Sequence, residues 1–405
     1  MMQEPGWTRK ASTSGNTICS YTKKNLRPAG KFHDAFDSLP WNPRALCTFE
    51  STTRMTNTIP PPPPSLLWYG ASFFSKALSD LGWNTTIKRQ YQPAAVSWRE
   101  LFADLPAPPD VLVVADYSGP PPLLDPHTCP CLTVFYSVDA HIHSWHPLYA
   151  QAFDLCLVSL RDHLPRFSGS HLDSSRVLWS PPFAQDTLHP APKDQIWDAL
   201  FVGKVDADLT PRRHSALQAL KQDLPSLEVR QGSFPELFPQ AKVVLNFCDL
   251  DDLNFRVFEA LACGTALLSP RIGHGQDDLF RHGEDFWLYD QSPDGSDVTD
   301  LFHQLRRLLE DDALRVRLAR SGQVKVNAGH RASHRAATFT NWLREHDWSD
   351  LIARRQRIAM DVHRDTLRPL FLHLSEALPE DHDLRTRYYQ ASARQPLNTP
   401  ESRGK

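Results

Sequence analysis

Asn254-Phe255-Arg256-Val257-Phe258-Glu259-Ala260-Leu261-Ala262-Cys263-Gly264 is the stretch on which the fold turns. Phe255, Phe258, Leu261 and Ala262 recur at helical spacing and define a buried stripe, with Arg256, Glu259 and Cys263 on a neighbouring face. Gly264 stands where the helix must stop, because a left-handed residue after the last turn costs glycine nothing. Upstream, Lys242-Val243-Val244-Leu245-Asn246-Phe247 is a short β-branched run that reads as a buried strand. The acidic Cys248–Leu253 segment reads as a loop feeding the helix N-terminus. Thr265–Ser269 is the next strand, and Pro270–Gly275 the loop beyond it. Strand, helix and strand in about 30 residues make one βαβ unit. Its ligand edge is the carboxyl end of the strands, toward which the helix N-terminus points.

The same alternation extends outward. Ser65–Tyr69, Thr85–Lys88, Asp110–Ala115, Cys131–Tyr136, Leu155–Val158 and Val177–Trp179 read as strands with helical stretches between them. Proline-rich Ser180–Pro192 reads as a linker, and Asp198–Val202 opens a second series that includes Leu227–Arg230. Leu301–Glu310 and Asp312–Ser321 are amphipathic helices, and helix continues to about Leu378 before a polar tail. The expected architecture is α/β, with two doubly wound parallel sheets. The expected segments are a disordered extension over residues 1–58, domains over 59–185 and 186–340, and a helical tail over 341–405. Pro60–Pro64 is a stiff spacer, and Met55 is an alternative physiological start.

Composition narrows the function. A chain of 405 residues with 41% hydrophobic content can bury two or three cores. A net charge of −3 offers no basic field for nucleic acid. No apolar run is long enough for a transmembrane helix, and the N-terminus lacks a signal-peptide layout. Seven irregularly spaced cysteines suit reduced thiols in a cytoplasmic protein, and Cys129-Pro130-Cys131 reads as structural. No Gly-x-x-x-x-Gly-Lys-Ser/Thr loop marks an NTPase.

The central motif also carries a resemblance. Asn254-x-Arg256-x-Phe258-Glu259-Ala260-x-Ala262-Cys263-Gly264, followed by Leu279-Phe280-x-x-Gly283 and Tyr289-Asp290, resembles the C-terminal half of glycosyltransferases with two Rossmann-like domains, the GT-B architecture. The nearest pattern is that of the spore-maturation-protein-like glycosyltransferases. His330-Arg331-Ala332-Ser333-His334-Arg335 is similar to the segment that closes their second domain. The likeness is close from Trp197 to Leu343 and loose from Ser65 to Pro182. It implies a nucleotide-sugar donor on the second domain, an acceptor of unknown identity against the first, and no separate cofactor. A nucleotide-sugar epimerase or hydrolase, and a catalytically silent binding protein, are the alternatives on the same fold.

The resemblance assigns the donor ribose to Glu259, since a carboxylate accepts two hydrogen bonds from vicinal hydroxyls. The alternative is an exposed glutamate paired with Arg256 or Lys242. Asp251, eight positions earlier, matches the place of a sugar-facing acid in related transferases, or caps the helix. A diphosphate needs cations and helix N-terminal amides, for which Lys204 after Gly203, Arg212, Arg213, Asn254 and Arg256 are the candidates. Arg256 pairing with Glu259 is the structural alternative. His274, between two glycines, reads either as a donor-sugar contact or as an exposed loop histidine. On the first domain, Asp139 and His141 follow a strand at its carboxyl end, with His143 beside them; either could orient the acceptor or take its proton. The Gly-Gly loop common after the first strand of related transferases is missing here. Asp206-x-Asp208 and Asp249-x-Asp251 have metal-binding spacing, but this architecture stabilises its leaving group with basic residues and amides, so no metal site is expected.

Overall fold

Short apolar runs become fully buried strands because helices cover both faces of each sheet. A computed structural model describes residues 63–191 and 193–393; the extension assigned to residues 1–58 lies outside them. Ser65–Gly70 (β1), Asn84–Arg89 (β2), Val111–Ala115 (β3), Leu132–Ser137 (β4), Leu155–Val158 (β5) and Val177–Trp179 (β6) form one sheet. Its order is β2-β1-β3-β4-β5-β6, with every neighbouring pair parallel. Trp197–Val202 (β7), Leu227–Arg230 (β8), Ala241–Leu245 (β9), Ala266–Pro270 (β10) and Trp287–Tyr289 (β11) form a second parallel sheet in the order β11-β10-β9-β7-β8. The expected α/β architecture of two doubly wound sheets is observed. β11 has three residues, too few for a periodic signal of its own.

Both sheets repeat one winding: the second strand lies to one side of the first, and the third to the other. The order therefore reverses between β1 and β3 and again between β7 and β9, and a crevice opens at the carboxyl ends there. Alternate residues of each strand feed opposite cores. Leu67, Tyr69, Leu112 and Val114 face one layer of the first sheet, and Leu66, Trp68, Val111 and Val113 the other.

The central helix runs Phe255–Ala262 and buries Val257, Phe258, Ala260, Leu261 and Ala262. Gly264 follows at φ 71°. Its amide donates to the Leu261 carbonyl, and the Thr265 amide to that of Ala260, which closes the last turn. Phe255 departs from the expected stripe. Its ring leaves the second sheet's core and stacks on Phe73 of the first, centroids 5.8 Å apart and 11° from parallel, with its edge on Phe183 at 5.4 Å.

The chain crosses between the sheets twice, and two buried arginines hold the crossings together. Arg335 donates to the carbonyls of Pro181 and Pro182 at 2.8 and 3.0 Å, and Arg331 to those of Gln185 and Leu188. Two backbone bonds tie Ala184 to His330 and Ala332. The helices after Arg335 return to the first sheet: Ala336, Phe339 and Leu343 join one of its cores, and Val362, Leu370 and Phe371 the other. Arg355 is their anchor, with Asp154 at 2.6 Å and the carbonyls of Cys129 and Cys131 as further acceptors. The Cys129-Pro130-Cys131 turn is thus a structural acceptor. The expected polar tail after Leu378 is corrected, because Asp383–Ala393 is a further helix. Leu384, Tyr388 and Ala391 give it a buried face, and Tyr388 stacks on Phe371 at 5.4 Å.

Candidate active site

At the reversal point of the second sheet lies Arg256, one residue into the central helix. Its guanidinium donates to the Val202 carbonyl at 3.1 Å and the Asn246 side-chain oxygen at 3.0 Å, and it covers the Phe201 ring. Gly203 makes room for it: a Cβ there would stand 2.8 Å from Arg256 Nη2 and 2.9 Å from Phe201. Burial, with Arg213 nearby, lowers the Arg256 pKa to about 10. Arg256 therefore braces β7 against β9.

Glu259, one turn further along, makes no side-chain hydrogen bond among the described residues. Its structural alternatives have other partners: Lys242 pairs with Asp198 at 2.7 Å, and Arg256 is held as above. Burial pushes the Glu259 carboxyl up to about 7 against the pull of Arg256. A half-buried carboxylate with free acceptor capacity is poised for hydroxyl donors. Asn254 precedes the helix as its cap residue, yet its side chain caps nothing. The amide nitrogen reaches Phe247 O and Cys248 Sγ, while Oδ1 is buried without a partner among the described residues. The first amides of this helix thus remain available to a ligand.

The other basic candidates divide. Arg213 opens the helix Pro211–Asp223 and meets Asp249 at 2.6 Å; the Asp249 carboxylate also accepts its amide at 3.0 Å. Arg212 pairs with Asp251 at 2.8 Å. The anions that make cations tolerable at this helix start are thus carboxylates of the acidic loop. Asp251 has a left-handed φ of 57° and does not cap the central helix. Lys204 keeps a largely exposed ammonium, 4.0 Å from Asp206. Three of the four carboxylates of the Asp-x-Asp triplets are engaged locally: Asp206 accepts the amides of Asp208 and Leu209, and Asp249 and Asp251 hold the two arginines.

Across the crevice, Asp116 at the end of β3 organises the end of β4. Its carboxylate accepts the amides of Ser118, Val138 and Asp139 at 2.8, 3.1 and 2.6 Å. Burial and this neighbouring charge raise the Asp139 pKa. His141 Nδ1 and His143 Nε2 are buried without partners among the described residues. Asp252, from the acidic loop of the second sheet, comes close enough to feel both Asp139 and His141; its pKa is raised by burial and by Asp139, and His141 opposes this. Asp252 and Asp116 carry no motif that singles them out in the sequence.

His274 is buried, not an exposed loop residue. Its amide donates to Asp162 at 2.7 Å and its ring meets the edge of His163 at 5.2 Å. Gly275, at φ 81°, packs so closely on Trp179 that a Cβ would lie 2.6 Å away. The Gly273-His274-Gly275 loop therefore bears on the first sheet's side of the crevice, and burial lowers the His274 pKa.

Comparison with known proteins gives one family match and many structural ones. The family model described as "Glycosyl transferase-like" matches residues 219–341, which contain Asp251, Asn254, Arg256, Glu259 and His274. No curated protein matches the chain. Among solved structures, Anabaena HepE in complex with UDP and glucose aligns with a TM-score of 0.50 at 11% identity, covering 69% of this chain and 99% of that one. HepE in complex with UDP-glucose aligns at 0.50 and 10% identity, covering 70% and 100%. Sucrose-phosphate synthase from Thermosynechococcus elongatus aligns at 0.48 and 12%, covering 70% and 98%. The chain has the GT-B fold. No helix among the described residues is long and apolar enough to cross a membrane.

Proposed function

We propose that this protein is a glycosyltransferase that moves a sugar from a nucleotide-sugar donor to an acceptor hydroxyl, and that it is related to the spore-maturation-protein-like group. The observation that carries this reading is Glu259: a carboxyl in the family-matched segment, on the helix that starts at the ligand edge of the second sheet, its pKa raised by burial and its side chain without a hydrogen-bond partner among the described residues. Ribose hydroxyls would supply the missing donors. The amides at the start of the Phe255–Ala262 helix, with Asn254 and Lys204, would meet the diphosphate. Arg256 and Gly203 shape that corner, while Arg212 and Arg213 hold Asp251 and Asp249 in place. His274 closes the donor side toward the first sheet.

In the transfer, the acceptor oxygen bonds to the anomeric carbon as the bond from that carbon to the diphosphate oxygen breaks. The electron pair leaves with the diphosphate, and the hydroxyl proton passes to Asp139 or His141. The raised pKa of Asp139 suits a proton acceptor at neutral pH. Basic groups and helix amides then carry the leaving-group charge without a metal, and the five buried free thiols among the described residues suit a cytoplasmic setting.

Both HepE complexes hold uridine diphosphate ligands, so UDP and UDP-hexoses are the first donors to test. A thermal-shift titration should show stabilisation by UDP that exceeds that by uridine. Sugar transfer from UDP-hexose in the presence of cell extract, with UDP released in equal amount, supports the proposal. UDP-hexose converted to an isomer without an acceptor, or no binding of any nucleotide diphosphate, defeats it.

A further inference from the structure

The loops after β1, β2, β3 and β4 enclose a cavity of about 600 Å³ at the reversal point of the first sheet, and Phe255 closes its far wall. Its charged lining is Arg89, Asp116 and Asp139. Asp116 is committed to three backbone amides, as described above. Burial and the neighbouring Asp116 charge raise the Asp139 pKa. Arg89, the last residue of β2, is different. Among the described residues its only hydrogen bond is from Nη1 to the Tyr91 hydroxyl at 3.1 Å, and it forms no ion pair with any of them. A guanidinium has five N–H donors in a planar fork, so most of this one remains free at the cavity mouth. Tyr91 is 74% exposed, which leaves its ring open to contact beside that charge. The opposite wall is the Phe73–Phe255 stack, with Phe73 held at a left-handed φ of 33°. Strain of that kind persists only where surrounding contacts enforce it, and it gathers at ligand sites.

We infer that this cavity receives an anionic acceptor, a small sugar or polyol whose phosphate or carboxylate group pairs with Arg89 while a hydroxyl reaches Asp139. The aromatic walls take the apolar face of the ring, and the cation selects the charge. This rests on the glycosyltransferase reading only in calling the ligand an acceptor; the binding itself is independent of it.

The probes are glucose 6-phosphate, glucuronate and glucose, titrated by calorimetry into the full-length protein with and without UDP. At least one of the two anionic sugars should bind roughly 10-fold or more tightly than glucose, as a charge-assisted pair requires. The phosphate or carboxylate source is read from which anion leads. Arg89→Gln should abolish that preference, Arg89→Lys should keep part of it, and Arg344→Gln, at an exposed position outside the cavity lining, should leave it intact. Arg89 is exposed, and an unchanged thermal midpoint shows that the variants fold. Glucose binding as well as both anions, or a preference that survives Arg89→Gln, overturns the inference. UDP binding without any Arg89-dependent anion binding removes this inference and leaves the proposed function standing. Arg89-dependent binding without nucleotide binding does the reverse.

Discussion

Glu259→Gln should move stability and ligand binding in opposite directions. The carboxyl rises from 4.5 to about 7 because burial penalises its charged form. Between those two values the native state binds more protons than the unfolded state, so stability falls as pH rises through the window and is flat above it. A shift of that size corresponds to at most about 3 kcal/mol, and residual solvent around a half-buried group brings it nearer to about 1–2 kcal/mol. Glutamine keeps the volume and the helix propensity without the charge. The variant should therefore equal wild type near pH 4.5 and become more stable than it from about pH 7 upward, measured by urea denaturation across pH. Donor affinity should fall meanwhile by roughly 1.5–3 kcal/mol, because an acceptor for two ribose hydroxyls loses its charge. Wild type should bind UDP more tightly than its 2′-deoxy form, and the variant should discriminate less between them. Nucleotide binding near pH 7 should also release protons, seen as a dependence of calorimetric heat on buffer ionisation enthalpy. A variant less stable than wild type at pH 8, with its ribose preference unchanged, would refute the reasoning and make Glu259 a structural residue.

Four further substitutions have outcomes set by the packing. Arg355→Ala should cost about 3–5 kcal/mol in urea denaturation, since it leaves the buried Asp154 carboxylate without its partner at 2.6 Å. Lys204→Ala should barely change stability, within about 0.5 kcal/mol, while weakening UDP roughly 10- to 150-fold and leaving uridine unaffected. Arg213→Ala should instead lower the Tm, because Asp249 loses the cation 2.6 Å away; equal effects of the two changes would dissolve the distinction. Gly203→Ala should destabilise by about 1–3 kcal/mol and weaken UDP binding, since the new methyl group displaces Arg256 from its place between β7 and β9. Unaltered stability there would show that Arg256 is not wedged.

What the sequence determined by itself is whatever depends on near neighbours along the chain. Runs such as Asp110–Ala115 and Lys242–Phe247 declare buried parallel strands, because covering both faces of a sheet demands unbroken apolar residues. Gly264 declares the end of the central helix, and the order of the elements makes two doubly wound sheets. Helical period also places Leu384, Tyr388 and Ala391 on one face, though weakly enough that the last helix is missed among its charges.

Only the tertiary structure decided which charges meet. Arg212 and Arg213 find Asp251 and Asp249 because the loop after β9 folds onto the start of the Pro211–Asp223 helix, and no local spacing encodes that encounter. Phe255 sits at a core position by period yet belongs to the opposite sheet, since the residue opening a helix at a crevice faces whatever lies across it. His274 is buried by the same approach, against Asp162 and His163. Asp139, His141 and Asp252 come together only because two sheets bring their carboxyl edges face to face. Periodicity reports which side of an element is apolar. What stands opposite that side is set by long-range packing, and there the charged side chains of this crevice are brought together.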